Sequence, residues 1–314
     1  MTMSMFICKP THPFLPIRNS IHSSRSPCKD KVVLVLGATG TGKSRLSVNL
    51  ATQFNGEVVN ADKIQVHEGL DVITNRITDE ESCGVPHHLL GVVHPQADFT
   101  SNDFCNTASS AVASIVERRR LPIVAGGSNS YIEALIDNET YGFRQKYDCC
   151  YLWLDVSMPI LHQILSERVD QMVEKGMVEE ARQYFNPNAD YSKGIRRAIG
   201  VPEFDYYFRV ESFVDKETRE RLLQKAIYKV KINSCRLACR QLEKILRLRN
   251  DKGWNIYRLD ATDVFQNNGK ESKKAWKEQV LGPSMTIIRQ FLTNSGPDIY
   301  KKSENIKAMA TSSR

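Results

Sequence analysis

The chain has 314 residues, 41% of them hydrophobic and 25% charged, and a formal net charge of +7. That length suffices for one large α/β domain, or for one domain with a smaller helical part. No apolar run approaches the ~20 residues that a bilayer-spanning helix needs, which excludes a helical membrane protein; the positive charge suits polyanionic small molecules and RNA equally.

Residues 1–29 differ from the rest. They carry Lys9, Arg18, Arg25 and Lys29 among Ser, Pro and His, and the first acidic residue is Asp30. An acid-poor leader without a long apolar core predicts an organelle transit peptide over 1–30, directed to the plastid, with a mitochondrial leader or a cytosolic tail as alternatives. From Lys31 onward, strands alternate with helices. Strands are predicted over 32–36, 57–60, 88–93, 121–125, 150–155 and 255–259, and helices over 43–53, 101–118, 129–136, 158–173, 175–184, 217–249 and 271–292. The pattern predicts an α/β fold, a mainly parallel sheet with helices on both faces. Expected divisions are a P-loop α/β core over 31–156, a helical substrate subdomain over 157–250, a return to the core over 251–292 and a mobile tail over 293–314.

The first strand, Val32 to Leu36, runs into Gly37-Ala38-Thr39-Gly40-Thr41-Gly42-Lys43-Ser44, which fits G-x-x-x-x-G-K-[ST] without a mismatch. Glycines let backbone N–H groups turn toward phosphate oxygens, and the helix that starts here points its positive end at the anion. Lys43 adds a point charge, and Ser44 can hold a magnesium ion bridging the same phosphates. The motif announces a bound phosphate without saying which molecule carries it.

Two more segments fall at strand ends, where ligands of such sheets sit. In Asn60-Ala61-Asp62-Lys63-Ile64-Gln65, Asp62 is a candidate magnesium ligand, general base or hydrogen-bond acceptor, or a helix cap. Lys63 either steadies a phosphate or is solvated, and Gln65 can reach Asp62 or a base edge. In Ala125-Gly126-Gly127-Ser128, Ser128 can donate to a phosphate or cap the following helix, and Tyr131 reads as packing.

The long helix 217–249 has a mostly apolar stripe (Leu223, Ile227, Val230, Ser234, Leu237, Gln241, Ile245, Leu248) beside a polar, basic one (Lys229, Asn233, Arg236, Arg240, Lys244, Arg247). Arg236 and Arg240 are candidates for phosphate contact, and Lys229 is a weaker one. Before it, Gly194 to Glu203 forms a glycine-bounded basic turn. The eight cysteines are scattered without C-x-x-C spacing and read as reduced structural thiols.

Three spaced motifs in order carry a resemblance: Gly37-x-Thr39-x-x-Gly42-Lys43-Ser44, Asp62-x-x-Gln65, and Ile123-Val124-x-Gly126-Gly127-Ser128, followed by Ala198-Ile199-Gly200 and Leu237-Ala238-x-Arg240-Gln241-Leu242. Over about residues 32–290 the chain resembles the isopentenyltransferases, comprising the plant adenylate (ATP/ADP) enzymes of cytokinin synthesis and the tRNA dimethylallyltransferases. The stretch Tyr147 to Asp155 looks like the plant adenylate branch. The resemblance implies transfer of a dimethylallyl group from dimethylallyl diphosphate to the adenine N6 of ATP or ADP, with AMP as a third candidate. It implies that Gly37 to Ser44 hold the leaving diphosphate with Mg²⁺ on Ser44. Thr39 and Ser128 would hydrogen-bond that diphosphate, and Asp62 would take the N6 proton. Arg236, Arg240 and Lys229 would grip phosphates from the helical side.

The nearest rival is the same chemistry on tRNA. The chain between Ser128 and the basic helix is short for an added tRNA-gripping domain, and no Cys/His zinc-finger spacing follows residue 250. A monomer acting on free nucleotide, without tRNA or membrane, is therefore the expectation. A P-loop small-molecule kinase and a nucleotide-binding regulator are the other classes; the first would consume ATP without a prenyl donor, and the second has no use for a proton acceptor at Asp62.

Overall fold

A computed structural model describes residues 29–293. The expected leader up to residue 28 and the expected tail after residue 293 lie outside the described residues. Six strands form one sheet: β1 (Asp30–Gly37), β2 (Gly56–Asn60), β3 (His87–His88), β4 (Leu121–Ala125), β5 (Tyr147–Asp155) and β6 (Ile256–Asp260). The helices are α1 (Lys43–Phe54), α2 (Asp79–Ser82), α3 (Ser101–Glu117), α4 (Asn129–Asp137), α5 (Phe143–Lys146) and α6 (Met158–Glu174). Then come α7 (Met177–Gln183), α8 (Asp205–Val210), α9 (Lys216–Asn250), α10 (Thr262–Gln266), α11 (Gly269–Ala275) and α12 (Gly282–Thr293). Strand order is β3-β2-β4-β1-β5-β6, and every pairing is parallel. Among the described residues no helix is long and apolar enough to cross a membrane.

The continuous apolar run of β1 is what a strand covered on both faces requires. Side chains alternate across the sheet. Val32, Leu34 and Leu36 join Phe104 and Ile115 of α3, Ile132 and Leu135 of α4, and Ile245 and Leu248 of α9. Val33 and Val35 join Leu46 and Leu50 of α1, Leu161 and Leu165 of α6, and Trp276 and Ile288 on the other face. All five β1 residues from Val32 to Leu36 are fully buried, each side chain worth about 1.5–3 kcal/mol of transfer free energy.

A third core is helical. Val169 and Met172 of α6, Met177 and Ala181 of α7, Phe204, Tyr207 and Phe208, and Ile227 and Val230 of α9 surround Leu70 and Ile73 from the segment after β2. Helix α6 straddles two cores and α9 reaches all three, so both run from the helical unit onto the sheet.

Two expected elements differ. The strand expected over 88–93 shrinks to His87–His88, because Leu89 (φ 60°) and Gly91 (φ 62°) are left-handed and turn the chain out of the ladder; Val93 keeps only an isolated bridge to His67. The helix expected over 271–292 is present as a continuous helical run through α11 and α12, but it widens into a π turn over Trp276–Leu281 between them. Pro283 has no N–H to donate to the preceding turn, which favours the widened turn just before it.

Candidate active site

Strands β2, β4 and β1 are neighbours, so the three segments singled out in the sequence converge at one edge. Gly42 caps α1 with a left-handed backbone (φ 91°), a conformation that a side chain would strain. The indole of Trp276 covers it. Trp276 Nε1 donates to Asn49 Oδ1 at 3.0 Å, and the Arg45 guanidinium lies 4.1 Å from the ring centroid. The returning C-terminal segment thereby fixes the start of α1. At β4, a Cβ on Gly126 would stand 2.2 Å from the Ala61 carbonyl, so only glycine lets these two strand ends meet.

A cleft of about 650 Å³ opens here, lined by Thr39, Gly40, Gly42, Lys43, Ser44, Asp62, Gln65, Gly126 and Gly127, with Ile164, Glu167, Arg168 and Gln171 of α6 forming the opposite wall. That volume lies in the range of small-molecule sites. Lys43 Nζ donates to the Ala38 carbonyl at 2.7 Å. Burial lowers its pKa to about 8, with Asp62 opposing that shift and the Arg168 charge adding to it. Asp62 Oδ1 accepts the N–H groups of Ile64 (2.9 Å) and Gln65 (3.3 Å), which locks the carboxylate at the strand end. Its Oδ2 lies on the Gly127 side, 3.6 Å from where a Gly127 Cβ would stand.

Among the expected residues, Ala38 and Thr41 are buried behind the loop; Thr41 Oγ1 donates to the Ala38 carbonyl at 2.9 Å. Gly37 is the last residue of β1 and does not border the cleft. Gln65 lines the cleft, but its side chain donates to the Thr74 carbonyl (3.0 Å) and only its backbone N–H meets Asp62. Ser128 does not border the cleft, nor does its side chain cap α4; its hydroxyl accepts the Lys63 N–H at 3.0 Å and so ties two strand-end loops together. Arg236 faces a separate groove between α6 and α9, and Lys229 is exposed outside the cleft. Arg240 belongs to a cationic cluster. The Lys63 ammonium is lowered from its ordinary value by burial, then by the charges of Arg197, Lys244 and Arg240, with Asp62 opposing them. Arg197 Nε and Nη2 are buried without a hydrogen-bond partner among the described residues.

Two site residues were not singled out from the sequence. Arg168 of α6 is half-buried and lines the cleft beside the phosphate loop. Its Nη1 lies 3.5 Å from Thr39 Oγ1, and burial lowers its pKa while Asp62 opposes the shift. Its signal was a cation embedded among Leu161, Leu165, Val169 and Met172, the apolar positions of that helix. The other is Gln241, a polar side chain on the buried stripe of α9. Its Oε1 accepts the Thr39 N–H (2.8 Å), its Nε2 donates to the Gly127 carbonyl (2.9 Å), and its own carbonyl accepts from Asn129 Nδ2 (3.0 Å).

A parallel sheet, a glycine loop entering a helix, and a carboxylate across the cleft from a desolvated lysine define an enzyme of the P-loop class that works on a phosphate-bearing substrate. Residues 65–143 and 137–247 match the family model described as IPP transferase. Adenylate isopentenyltransferase 3, chloroplastic, of Arabidopsis thaliana is 53% identical over 93% of this chain and 90% of its own length. Adenylate isopentenyltransferase 5, chloroplastic, of the same plant is 58% identical over 85% and 82%. A solved eukaryotic dimethylallyltransferase acting on tRNA superposes with a TM-score of 0.71 at 26% identity, over 85% of this chain and 80% of that one. The chain belongs to the IPP transferase family of prenyltransferases and, within it, to the adenylate isopentenyltransferases.

Proposed function

We propose that the chain transfers the dimethylallyl group of dimethylallyl diphosphate to the adenine N6 of ATP or ADP, as the first step of cytokinin synthesis. The observation that carries this reading is one cleft holding the phosphate loop, Lys43 and Arg168 around an Asp62 carboxylate. The diphosphate would lie on the loop, contacted by Thr39, Lys43, Arg168 and the N–H groups at the start of α1. N6 attacks C1 of the prenyl chain, the C1–O bond breaks, diphosphate departs with the bonding pair, and Asp62 accepts the N6 proton. Groups that meet charge as it develops on the leaving oxygen supply the largest expected term. Asp62 adds proton acceptance and alignment of the amine. The reaction requires that water be kept from C1 once both substrates fill the cleft, because water would otherwise hydrolyse an allylic diphosphate.

Among the described residues no cluster of three or more His, Cys, Asp or Glu could hold a metal. The exposed Ser44 hydroxyl, lining the cleft at the start of α1, fits an ion that takes its remaining ligands from substrate and water, as Mg²⁺ does. When bound it would supply charge neutralisation for the departing diphosphate. The cluster of Lys63, Arg197, Arg240 and Lys244 would take the phosphates of the nucleotide, since crowded cations with unpaired guanidinium nitrogens favour a polyanion. The acid-poor leader, together with relatives named chloroplastic, supports action in the plastid. The test is a side-by-side assay of ATP, ADP, AMP and tRNA with labelled dimethylallyl diphosphate. ATP and ADP are expected to give kcat/KM at least tenfold above tRNA, and a preference for tRNA would overturn the reading.

A further inference from the structure

We propose that Gln241 is a positioning residue that sets the separation between the leaving-group cradle and Asp62. The inference rests on the reading above. Thr39 is held from two helices at once: Gln241 of α9 takes its N–H at 2.8 Å, and Arg168 of α6 reaches its hydroxyl at 3.5 Å. Because its N–H is committed to Gln241, Thr39 has a fixed backbone and presents its hydroxyl to the cleft. The other end of the same carboxamide donates to the Gly127 carbonyl at 2.9 Å, and the Gly127 Cα borders the Asp62 Oδ2 side of the cleft. A Cβ at position 127 would stand 2.5 Å from Gln241 Nε2, so the carboxamide fills that gap in direct contact.

One side chain thus spans the loops that follow β1 and β4, with the Asp62 loop beside them. Gln241 is itself buried (7% exposed), and its backbone carbonyl is anchored by Asn129. A carboxamide is the one neutral group of this length that offers an acceptor to an N–H and a donor to a carbonyl simultaneously. No substrate atom need touch it. In-line displacement is steep in geometry, and a misplacement of about 1 Å can cost 10²-fold. Losing the clamp is therefore expected to appear in turnover rather than in binding, because the phosphate-binding groups themselves remain.

The experiment compares Gln241→Met and Gln241→Glu with wild type, using dimethylallyl diphosphate and ATP. Gln241→Met matches the length and removes both bonds. Gln241→Glu keeps an acceptor for Thr39 but sets a carboxylate against the Gly127 carbonyl. Each variant is expected to lower kcat about 30-fold or more, with KM for both substrates within about threefold of wild type. The share of donor lost to water, as dimethylallyl alcohol plus diphosphate, is expected to rise, because a loosened nucleophile competes less well at C1. A kcat within twofold of wild type, a loss confined to KM, or an unchanged hydrolysed share would overturn the assignment. If Gln241→Met does not fold, Gln241→Glu decides alone on the same three readings. Wild type failing to prenylate ATP would contradict the proposed function instead, so the two failures are distinguishable.

Discussion

At the amino ends of the strands, Glu57 of β2 is buried yet accepts from His88 Nε2 and Arg118 Nη2, each at 2.6 Å, with Arg120 Nη1 at 3.3 Å. Lys31 of β1 is equally buried and meets Asp148 at 2.8 Å. At the carboxyl ends of the same strands the charges are left without such partners. Among the described residues, Lys43 has only a backbone carbonyl within hydrogen-bond reach, and Arg168 has a threonine hydroxyl. Arg197 keeps two unpaired nitrogens. Desolvating an ion is costly unless a partner compensates it. The amino ends provide partners from within the chain, and the compensated charges hold the sheet together. The carboxyl ends leave cations that only Asp62 partly compensates, an excess that a phosphate-bearing substrate would relieve on binding. On β1 and β2, pairing marks the structural end and an excess of cations marks the end that borders the cleft.

Substitutions at the two edges should consequently fail in different measurements. Asp62→Asn is expected to lower kcat by about 10³-fold while nucleotide affinity measured by calorimetry stays within threefold, since the amide keeps the shape and loses the proton acceptor. Arg168→Met should lower kcat/KM for the prenyl diphosphate by about 10²-fold, because it removes a fixed charge from the leaving-group side, while thermal unfolding is unchanged or shifts upward as a half-buried cation without an ion pair disappears. Glu57→Gln should do the reverse: about 2 kcal/mol of stability lost in urea unfolding, with kcat intact. Burial raises the Glu57 carboxyl, but Arg118 and His88 more than offset this and hold it below its ordinary value. Its contribution is thus present above the unfolded carboxyl pKa and is lost as pH falls through the lowered folded value. In the variant that acid-dependent part of stability should be missing.

The smallest effect concerns pH. Lys43 titrates at about 8 in the free protein. Its charge is present below that value and lost above it, so kcat/KM for the diphosphate donor should fall up to tenfold between about pH 7 and 9. A bound anion stabilises the ammonium, so kcat should hold to higher pH. A donor kcat/KM that is flat across this range would show that Lys43 is not the charge that greets the diphosphate.

What could be read from the sequence was local. The glycine loop, Lys43 and Asp62 announce themselves by spacing within a few residues of a strand end. The apolar stripe of α9 likewise forecasts that Ile227, Val230, Ile245 and Leu248 are buried. Gln241 was visible within that stripe, but only the folded chain shows that it meets Thr39 and Gly127, which are remote in sequence. Arg168 was hidden for the same reason: nothing in α6 says which loop it will face. Ser128 shows the converse. A hydroxyl after two glycines suits a phosphate, yet the close approach that Gly126 permits brings the Lys63 N–H within its reach first. The basic row of α9 divides along the helix, with Arg240 and Lys244 beside Lys63 and Arg236 facing another groove. Helical periodicity cannot specify that division, because it depends on where α6 and the 194–197 turn pack.

The most direct measurement is mass spectrometry of ATP after incubation with the protein, dimethylallyl diphosphate and Mg²⁺. A carboxylate opposite a diphosphate cradle predicts one five-carbon unit on the adenine amine and one diphosphate released per product, with the triphosphate intact. Consumption of ATP to ADP without a prenylated product, or prenyl diphosphate turned over only to the alcohol, would contradict it.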